Sequence, residues 1–310
     1  MSIITVTLNP AIDQTITVKQ LKVGEVNRAQ SVYYTAGGKG IMVASCLADW
    51  HDEAIFVTGF LGIENAVVFK SVFQEKKIVD KFIHVAGTNR TNIKIVDGHQ
   101  TTDVNLPGIS STEADLQQLL QSLETPYDIV ILSGSLPLNC SNDAYAQMLE
   151  VLKKTYSKVI VDASGDALIE ALQTETKPYC IKPNLSELSQ CAGRNLSSMD
   201  DIYLEARKLL ATGIQLVVIS VGEAGALFCN QKNILKACLK ASTILTSVGA
   251  GDAMVAGIAT ALRENASLER IARLSTAFAV AKLGSIAPSL PDKETIESLA
   301  ENVVIEQIGG

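Results

Sequence analysis

The sequence contains few of the residues from which metal and redox sites are built. Only three histidines occur among 310 residues, and the six cysteines are scattered without CxxC spacing. A zinc centre of the usual Cys/His type needs clusters of these residues, so the composition argues against one. Scattered cysteines are also typical of proteins in a reducing compartment. We therefore expect free thiols and a cytoplasmic location.

Long apolar runs, a leader segment and an excess of basic charge are missing as well. No run approaches the roughly 20 apolar residues of a membrane span, and the first ten residues lack the pattern of a signal peptide. There are 26 basic and 33 acidic residues, which gives a net charge of −7. This balance argues against nonspecific binding to nucleic acid or to a membrane surface.

Apolar residues, by contrast, are plentiful. They make up 47% of the chain, charged residues make up 19%, and there is no low-complexity tract, long linker or internal repeat. Such a composition is typical of globular proteins with a large core. We expect one domain that spans residues 1–310.

Short runs rich in β-branched residues alternate with segments of helical periodicity. The runs lack polar alternation, as strands buried on both faces do. The order predicts an α/β fold, with a mostly parallel sheet between two layers of helices. The predicted strands are 3–8, 55–59, 129–132, 159–161 and 216–221; the predicted helices are 39–50, 66–75, 112–123, 142–155, 200–211, 250–263, 268–283 and 292–302.

Two segments, 14–36 and 84–105, differ from this pattern. Their apolar residues alternate with polar ones, and Asp97-Gly98 is a hairpin turn signal. We expect them to form a small, half-exposed antiparallel sheet inserted into the α/β core. Such a flap would serve as a lid over the core or as the surface of a homodimer.

A run of small residues precedes an acid at the start of a predicted helix. Segment 247–252 reads Ser-Val-Gly-Ala-Gly-Asp, and apolar residues at helical spacing follow. Free amides at a helix N-terminus bind anions, whereas a carboxylate there repels them unless it accepts a proton during the reaction. Phosphoryl transfer to a hydroxyl needs both features. The alternative is a glycine-rich helix start with an acid in its first turn.

Further candidates follow or flank the predicted strands. Gly37-Gly38-Lys39-Gly40 precedes a helix without the spacing of a Walker loop, and Asp13 follows the first strand. Arg28 and Arg90 lie in the two flap segments, and their guanidinium groups suit phosphate.

Two later segments also lie at the ends of apolar runs. Asn184 and Glu187 are spaced as a helix-capping pair, or alternatively as groups that hold water around Mg²⁺. Segment 220–226 is a strand end followed by a glycine-containing turn. Such a turn either brings the backbone close to a nucleotide phosphate or only reverses the direction of the chain.

In this order, the motifs resemble those of the ribokinase/PfkB family of carbohydrate kinases over essentially the whole chain. The resemblance is to the branch of 1-phosphofructokinases and tagatose-6-phosphate kinases. It rests on segments 7–13, 24–28, 36–40, 59–62, 90–94, 133–137, 182–184 and 247–252. It implies a ribokinase-like three-layer α/β/α fold with a small β-sheet lid. It also implies ATP and Mg²⁺ as cofactors.

The resemblance assigns roles to individual residues. Asp252 would be the catalytic base, and the amides of Gly249, Ala250 and Gly251 would form the anion hole. The sugar phosphate would be held by Asp13, Arg28, Gly37, Gly38, Lys39 and Arg90. The nucleotide would lie along Lys182, Asn184, Ser220, Gly222, Gly225 and Gly251, and Glu187 would hold Mg²⁺ through water.

One position departs from the branch. After the glycine pair the branch has an Asn that contacts the acceptor, whereas this chain has Met42. A methionine side chain donates no hydrogen bond, so the acceptor is held differently, is bound more weakly, or differs from the branch's usual one.

We therefore expect an ATP-dependent kinase that converts fructose 1-phosphate to fructose 1,6-bisphosphate, with tagatose 6-phosphate as the alternative acceptor. A kinase for an uncharged sugar or nucleoside has no need of Lys39 and Arg90. Because of Met42, a non-catalytic sugar-phosphate or nucleotide sensor on the same scaffold remains an alternative. A Rossmann-type dehydrogenase is disfavoured, because no G-x-G-x-x-G follows the first strand.

Overall fold

The structure is a computed structural model that describes residues 2–98, 100–285 and 289–309. The strands are β1 (Ile3–Thr7), β2 (Ala11–Thr17), β3 (Ser31–Gly37), β4 (Ile55–Gly62), β5 (Val79–Asp80), β6 (Ile83–Val85), β7 (Arg90–Val96), β8 (Thr101–Asn105), β9 (Ile129–Ser133), β10 (Lys158–Asp162), β11 (Cys180–Ile181), β12 (Leu216–Ser220), β13 (Ala226–Cys229), β14 (Ile234–Cys238) and β15 (Val304–Gly309). The helices are α1 (Lys39–Trp50), α2 (Val67–Glu75), α3 (Glu113–Ser122), α4 (Ala144–Lys153), α5 (Asp166–Gln173), α6 (Leu185–Ala192), α7 (Met199–Ala211), α8 (Ala250–Arg263), α9 (Leu268–Leu283) and α10 (Lys293–Glu301).

The main sheet has the order β15-β14-β13-β12-β11-β10-β9-β1-β4-β5, and β6 pairs with β4. From β12 to β5 neighbouring strands are parallel, whereas β13, β14 and β15 extend the sheet with antiparallel pairs. All five predicted strands lie in the parallel part. The predicted mostly parallel sheet is confirmed.

Successive side chains of β1 enter two different hydrophobic cores. Ile3 packs in the core that contains α1, α8 and α9, whereas Ile4 and Val6 pack in the core that contains α3, α4 and α7. A strand buried on both faces needs apolar residues at odd and even positions alike, which explains its missing alternation. The helices therefore form two layers with the sheet between them, and the predicted three-layer arrangement is confirmed.

Helices α8 and α9 pack at close range, as their alanine-rich sequences predict. A Cβ atom on Gly257 of α8 would lie 2.6 Å from the Cα atom of Ser275 on α9, closer than two carbon atoms can approach. The glycine thus allows near contact between the helix backbones. This packing fixes the N-terminus of α8 relative to the last turn of α9.

The two segments of alternating polarity form a separate four-stranded sheet of order β3-β2-β7-β8, called the small sheet below. Its outer pairs are antiparallel, but β2 and β7 are parallel, so the prediction of an antiparallel sheet was wrong at this pair. Both strands leave the same edge of the parallel main sheet, which makes them run in one direction. The small sheet begins at Ala11, so β2 carries Asp13.

Two expectations from composition have structural counterparts. All six cysteines are free thiols, and Cys46, Cys180 and Cys229 are buried. Among the residues that the structure describes, no helix has both the length and the apolar character needed to cross a membrane.

Candidate active site

The floor of the candidate site is formed by strand ends that lie side by side. Thr7, Ser133 and Asp162 end β1, β9 and β10 and pair in register across the sheet. Lys182 directly follows β11, and Ser220 ends β12. Open parallel α/β sheets bind ligands at this carboxyl edge, where diverging helices leave room.

The turn before α8 lies at this edge. Gly249 has a φ angle of 83°, a left-handed conformation in which a larger residue would be strained. The first helical hydrogen bond runs from the Ala253 amide to the Gly249 oxygen, at 2.8 Å. The amides of Ala250 and Gly251 precede it and therefore have no partner within the helix. Free amides at a helix N-terminus form an anion site, and Asp252 lies in the first turn beside them.

Asp252 has the most strongly shifted carboxyl group of the site. Burial, followed by the nearby Asp162 carboxylate, raises its pKa to about 7, although the Lys39 and Lys182 ammonium groups oppose this rise. A carboxyl group with a pKa near neutrality accepts and releases protons readily at physiological pH. The turn therefore combines an anion site with a proton acceptor.

Asp162 connects the cations of the site, although it was not among the predicted residues. It is 1% exposed, and its Oδ1 atom lies 3.2 Å from both the Lys39 and the Lys182 ammonium groups. Its Oδ2 atom is buried without a hydrogen-bond partner among the described residues. A buried carboxylate needs compensation of this kind, because an isolated charge in the interior is very unfavourable.

The two lysines also reach other parts of the site. Burial lowers the pKa of Lys39, but the carboxylates of Asp162, Glu187 and Asp252 outweigh this effect and raise it overall, so the ammonium stays charged. The Lys182 ammonium lies 3.7 Å from the position that a Cβ atom on Gly251 would occupy. A cation therefore stands directly beside the free amides of the turn.

The small sheet contributes a second set of polar groups. Asp13 and Asn92 lie opposite each other on β2 and β7, and the Asn92 amide donates to Asp13 Oδ1 at 2.9 Å. Arg90 is two residues before Asn92 and lies on the same face. Its Nε atom is buried without a partner among the described residues, and burial lowers its pKa although Asp13 opposes the change. A guanidinium whose buried Nε–H lacks a partner among the described residues suits an anionic ligand.

The glycine pair before α1 keeps Asp13 and Lys39 close to one another. A Cβ atom on Gly37 would collide with the Asp13 carboxylate. Gly38 precedes the helix with a φ of 105°, and a Cβ atom there would lie 3.1 Å from Pro10 Cα. Larger residues at either position would force the two segments apart.

The predicted nucleotide-binding residues from the second half of the chain lie at the ends of β11 and β12. Asn184 Oδ1 accepts from the Glu187 amide at 2.9 Å and Glu187 Oε2 accepts from the Asn184 amide at 2.8 Å, so the pair caps α6. Asn184 also forms an isolated bridge with Ser220. Gly222 begins a short 3-10 turn that ends before Gly225, and this turn joins β12 to β13 as a hairpin.

Two further residues differ in their surroundings. Arg28 is exposed in segment 18–30 between β2 and β3, and no contact in the described part of the chain joins it to the cluster. Met42, by contrast, is 8% exposed, and its Cε atom lies 3.1 Å from the position of a Cβ atom on Gly249. Met42 therefore forms part of the wall beside the anion site.

The sequence contained signals for two residues that sequence reasoning missed. Asp162 comes directly after the predicted strand 159–161, as Asp13 follows the first one. Asn92 has the two-residue spacing from Arg90 that places side chains on one face of a strand. Neither residue could be recognised from the sequence, because single polar residues are common at strand ends and on half-exposed strands and the sequence does not show which side chains lie beside them.

Comparisons with known proteins match this architecture. The profile of the family "pfkB family carbohydrate kinase" matches residues 6–295. The chain belongs to the pfkB family of carbohydrate kinases. The predicted family and enzyme class are thereby confirmed, and the family implies ATP as cosubstrate.

Individual relatives of this pfkB kinase cover nearly its full length. It is 44% identical to the 1-phosphofructokinase of Xanthomonas campestris pv. campestris, over 97% of each chain. It is 40% identical to that of Rhodobacter capsulatus, over 99% of this chain and 98% of the relative. Escherichia coli phosphofructokinase-2, solved in complex with substrates and products, has a TM-score of 0.88 at 27% identity, over 97% of this chain and 99% of that one.

The raised pKa of Asp252 predicts a pH-dependent gain in stability for Asp252→Asn. A carboxyl group ionises near pH 4 in an unfolded chain but near 7 here, so the native state binds the extra proton between these values. The wild type therefore loses stability relative to the variant as pH rises through this range, by at most about 1.4 kcal/mol per unit, and the difference levels off at higher pH. Urea unfolding at pH 5, 6, 7 and 8 measures it.

Asp201→Asn is the matched control for this experiment. Arg194 and Ser198 hold the pKa of Asp201 at about 2, so its charge does not change between pH 5 and 8. The stability difference for the control should be constant over that range. A constant difference for Asp252→Asn as well would show that Asp252 is ionised throughout, contrary to the prediction.

Proposed function

We propose that the chain is a kinase that transfers the γ-phosphoryl group of ATP to fructose 1-phosphate and forms fructose 1,6-bisphosphate. The observation that carries the proposal is the turn 249–252, which combines free amides with a carboxyl group whose pKa is about 7. The 44% and 40% identical relatives named 1-phosphofructokinase support the choice of acceptor.

The small sheet is proposed to bind the phosphate of the acceptor. Arg90 presents a buried Nε atom without a partner among the described residues, and Lys39, at the start of α1, keeps its positive charge. Charged donors of this kind form the strong hydrogen bonds that phosphate oxygens accept. Asp13 and the backbone of Gly37 and Gly38 would hold sugar hydroxyls. Arg28 would join them if segment 18–30 folds over the bound sugar.

The reacting hydroxyl is proposed to lie between Asp252 and the anion site. In its ionised form, Asp252 would accept the proton of this hydroxyl as the oxygen attacks the γ-phosphorus. The amides of Gly249, Ala250 and Gly251 would stabilise the charge of the transferred group, with the Lys182 ammonium beside Gly251. Positioning and charge stabilisation of this type provide most of the catalysis in phosphoryl transfer.

ATP is proposed to lie along the ends of β11, β12 and β13. Lys182 would contact its phosphates, and Asn184 and Ser220 are adjacent at these strand ends. The turn from Gly222 to Gly225 would follow the nucleotide, because the position of a Cβ atom on Gly222 is open space in which a ligand can approach the backbone.

The acidic groups near Lys39 fit a magnesium ion that keeps most of its water. Asp162 has a buried Oδ2 atom without a partner among the described residues, and Glu187 Oε1 lies 3.9 Å from the Lys39 ammonium. Mg²⁺ bound with ATP is usually held by one or two carboxylates, phosphates and water. We propose that Asp162 and Glu187 hold it through water. When bound, the ion would neutralise phosphate charge.

The domain organisation follows from the same proposal. Residues 1–310 would act as one kinase domain, and the small sheet, built from β2, β3, β7 and β8, would act as its lid. Closure over the sugar phosphate would exclude water, which otherwise competes with the sugar hydroxyl for the phosphoryl group.

A substrate panel tests the proposal. With MgATP, we expect the highest kcat/KM for fructose 1-phosphate, lower values for tagatose 6-phosphate and fructose 6-phosphate, and almost none for fructose. Asp252→Asn should lower kcat by about 10²–10⁴-fold, the usual contribution of a general base. Arg90→Met should raise the KM for fructose 1-phosphate by roughly 10- to 150-fold, since a hydrogen bond to a charged group contributes about 1.5–3 kcal/mol.

Arg194→Met is the control for Arg90, because Arg194 pairs with Asp201 on the surface, and we expect wild-type kinetics. ADP release measured with a coupled assay gives the rates. Tight binding of sugar phosphate without turnover would instead favour a sensor. A preference for tagatose 6-phosphate would change the acceptor but not the role of Asp252.

Met42 provides a separate test of the acceptor pocket. Met42→Asn places an amide beside Gly249, where we expect it to donate to a sugar hydroxyl. The KM for fructose 1-phosphate should fall by roughly 2- to 150-fold, the equivalent of one hydrogen bond at about 0.5–3 kcal/mol, while the KM for ATP stays unchanged. Met42→Leu is the control for packing. Equal KM values in the Asn and Leu variants would place position 42 outside the contacts to the sugar.

We also propose that the small sheet forms a homodimer through the face opposite Arg90 and Asn92. The strand register places two rows of residues there, Tyr34-Gln14-Ile93-Val104 and Val32-Ile16-Ile95-Thr102. Val32, Tyr34 and Val104 are 40%, 59% and 44% exposed. Apolar groups grouped on an exposed sheet face are typical of an interface.

Sedimentation velocity of the wild type should give a dimer, and Val104→Lys should shift it to monomer. A buried, unpaired lysine in an interface is strongly unfavourable. Thr101→Lys changes an exposed residue on the other face of the same strand and should leave the dimer intact. A wild type that sediments as a monomer at all concentrations would contradict this arrangement.

A further inference from the structure

Lys282, in the last turn of α9, is a buried cation that the proposed mechanism does not use. It is 1% exposed in an otherwise apolar stretch of the helix. Its Cε atom lies 3.2 Å from the position that a Cβ atom on Gly249 would occupy, and Met42 Cε approaches the same point at 3.1 Å. Met42 on α1 and Lys282 on α9 therefore both pack against the Cβ side of Gly249.

Lys282 forms no ion pair with a residue that the structure describes. Its ammonium donates to the Ser285 carbonyl at 2.7 Å, and none of the described residues offers it a carboxylate within ion-pair distance. Burial lowers its pKa and the Lys94 ammonium on β7 lowers it further, while Asp252 on α8 and Cys46 on α1 act in the opposite direction. Burial raises the pKa of the Cys46 thiol to about 12, so Cys46 stays neutral.

An unpaired buried ammonium is costly unless an anion joins it during function. Lys182, on the other side of the turn, has already paired with Asp162. Lys282 has no such ion pair with a described residue, and its side chain lies against Gly249, the first residue of the free-amide turn. The anion that arrives there in a kinase is the phosphoryl group in transfer.

We propose that Lys282 is a positioning residue for phosphoryl transfer. Its methylene chain holds Gly249 in the left-handed conformation that aims the amides of the turn. Its ammonium adds positive charge behind the anion site. The inference rests on the proposed kinase function, because the anion concerned is the transferred phosphoryl group. The plain structural alternative is that Lys282 only caps the C-terminus of α9 through the Ser285 carbonyl.

Lys282→Met keeps a chain of similar length and removes both the charge and the donor to the Ser285 carbonyl, so the two roles are distinguished by kcat and the pH profile. We expect kcat with fructose 1-phosphate and MgATP to fall about 10- to 100-fold, somewhat less than the 10²–10³-fold loss for a direct oxyanion donor. The KM for the sugar phosphate should change little. The acidic limb of the kcat/KM profile should move to higher pH, because Asp252 loses a cation that favours its ionised form.

The other charged groups around Asp252 are Asp162, Lys39, Lys182 and Asp13, and the variant leaves all four in place. A shift of the acidic limb can therefore be assigned to position 282. A role confined to capping α9 would lower thermal stability and leave the pH profile where it is.

Lys158→Met is the matched control. Lys158 also donates to a carbonyl at the end of a helix, that of Leu262 at 3.3 Å, but it lies at the opposite edge of the sheet. We expect it to alter thermal stability without changing kcat or the pH profile. Methylammonium added to Lys282→Ala should restore part of kcat, and it should have no such effect on Lys158→Ala.

Lys282→Gln serves if the methionine variant does not fold, because glutamine keeps a donor for the Ser285 carbonyl and lacks the charge. Wild-type kcat and an unshifted pH profile in a folded Met or Gln variant would overturn the proposal. These comparisons are made relative to the wild type. Failure of the wild type to phosphorylate any sugar phosphate would instead overturn the proposed function.

Discussion

The candidate site depends on the two ion pairs that Asp162 makes with Lys39 and Lys182. Both ammonium groups lie 3.2 Å from one carboxylate oxygen; Asp162 and Lys182 are buried, whereas the Lys39 side chain is 34% exposed. Without Asp162 the buried Lys182 would lose its ion pair, and without the cations a carboxylate would be buried alone. The balance leaves Asp252 with a pKa of about 7, which is neither locked as an acid nor permanently charged. The chemistry proposed for Asp252 thus rests first on its burial and then on charges that come from distant parts of the sequence.

Sheet topology explains how these charges meet. Parallel strands deliver their carboxyl ends to one edge, so Thr7, Ser133 and Asp162 line up although more than a hundred residues separate the first from the others. Gly257 lets the backbones of α8 and α9 approach closely, and this packing fixes the start of α8 relative to the last turn of α9. The small sheet adds the side chains of Asp13, Arg90 and Asn92 to the site.

Local signals in the sequence predicted local structure well. Helix α1 begins at Lys39 and α8 begins at Ala250, as the glycines before them and the periodicity after them indicate. The capping pair at Asn184 and Glu187 was equally recognisable, since a cap involves residues three apart. The direction of pairing between β2 and β7 was not, because nearly eighty residues separate the strands and alternation contains no information about direction.

The sequence alone determined the family, the kinase class, the layered fold and the turn that carries Asp252, because each depends on neighbouring residues or on an ordered set of motifs. Only the tertiary structure revealed that Asp162 joins two lysines, that Asn92 holds Asp13, and that Met42 and Lys282 both pack against Gly249. Each of these contacts joins residues that are distant along the chain. Lys282 illustrates the difference: in the sequence it is one lysine in an alanine-rich helix, and in the fold it is a buried side chain that lies against Gly249 without an ion pair to a described residue. Burial and distance give such a residue its chemical role, and both are properties of the packed chain.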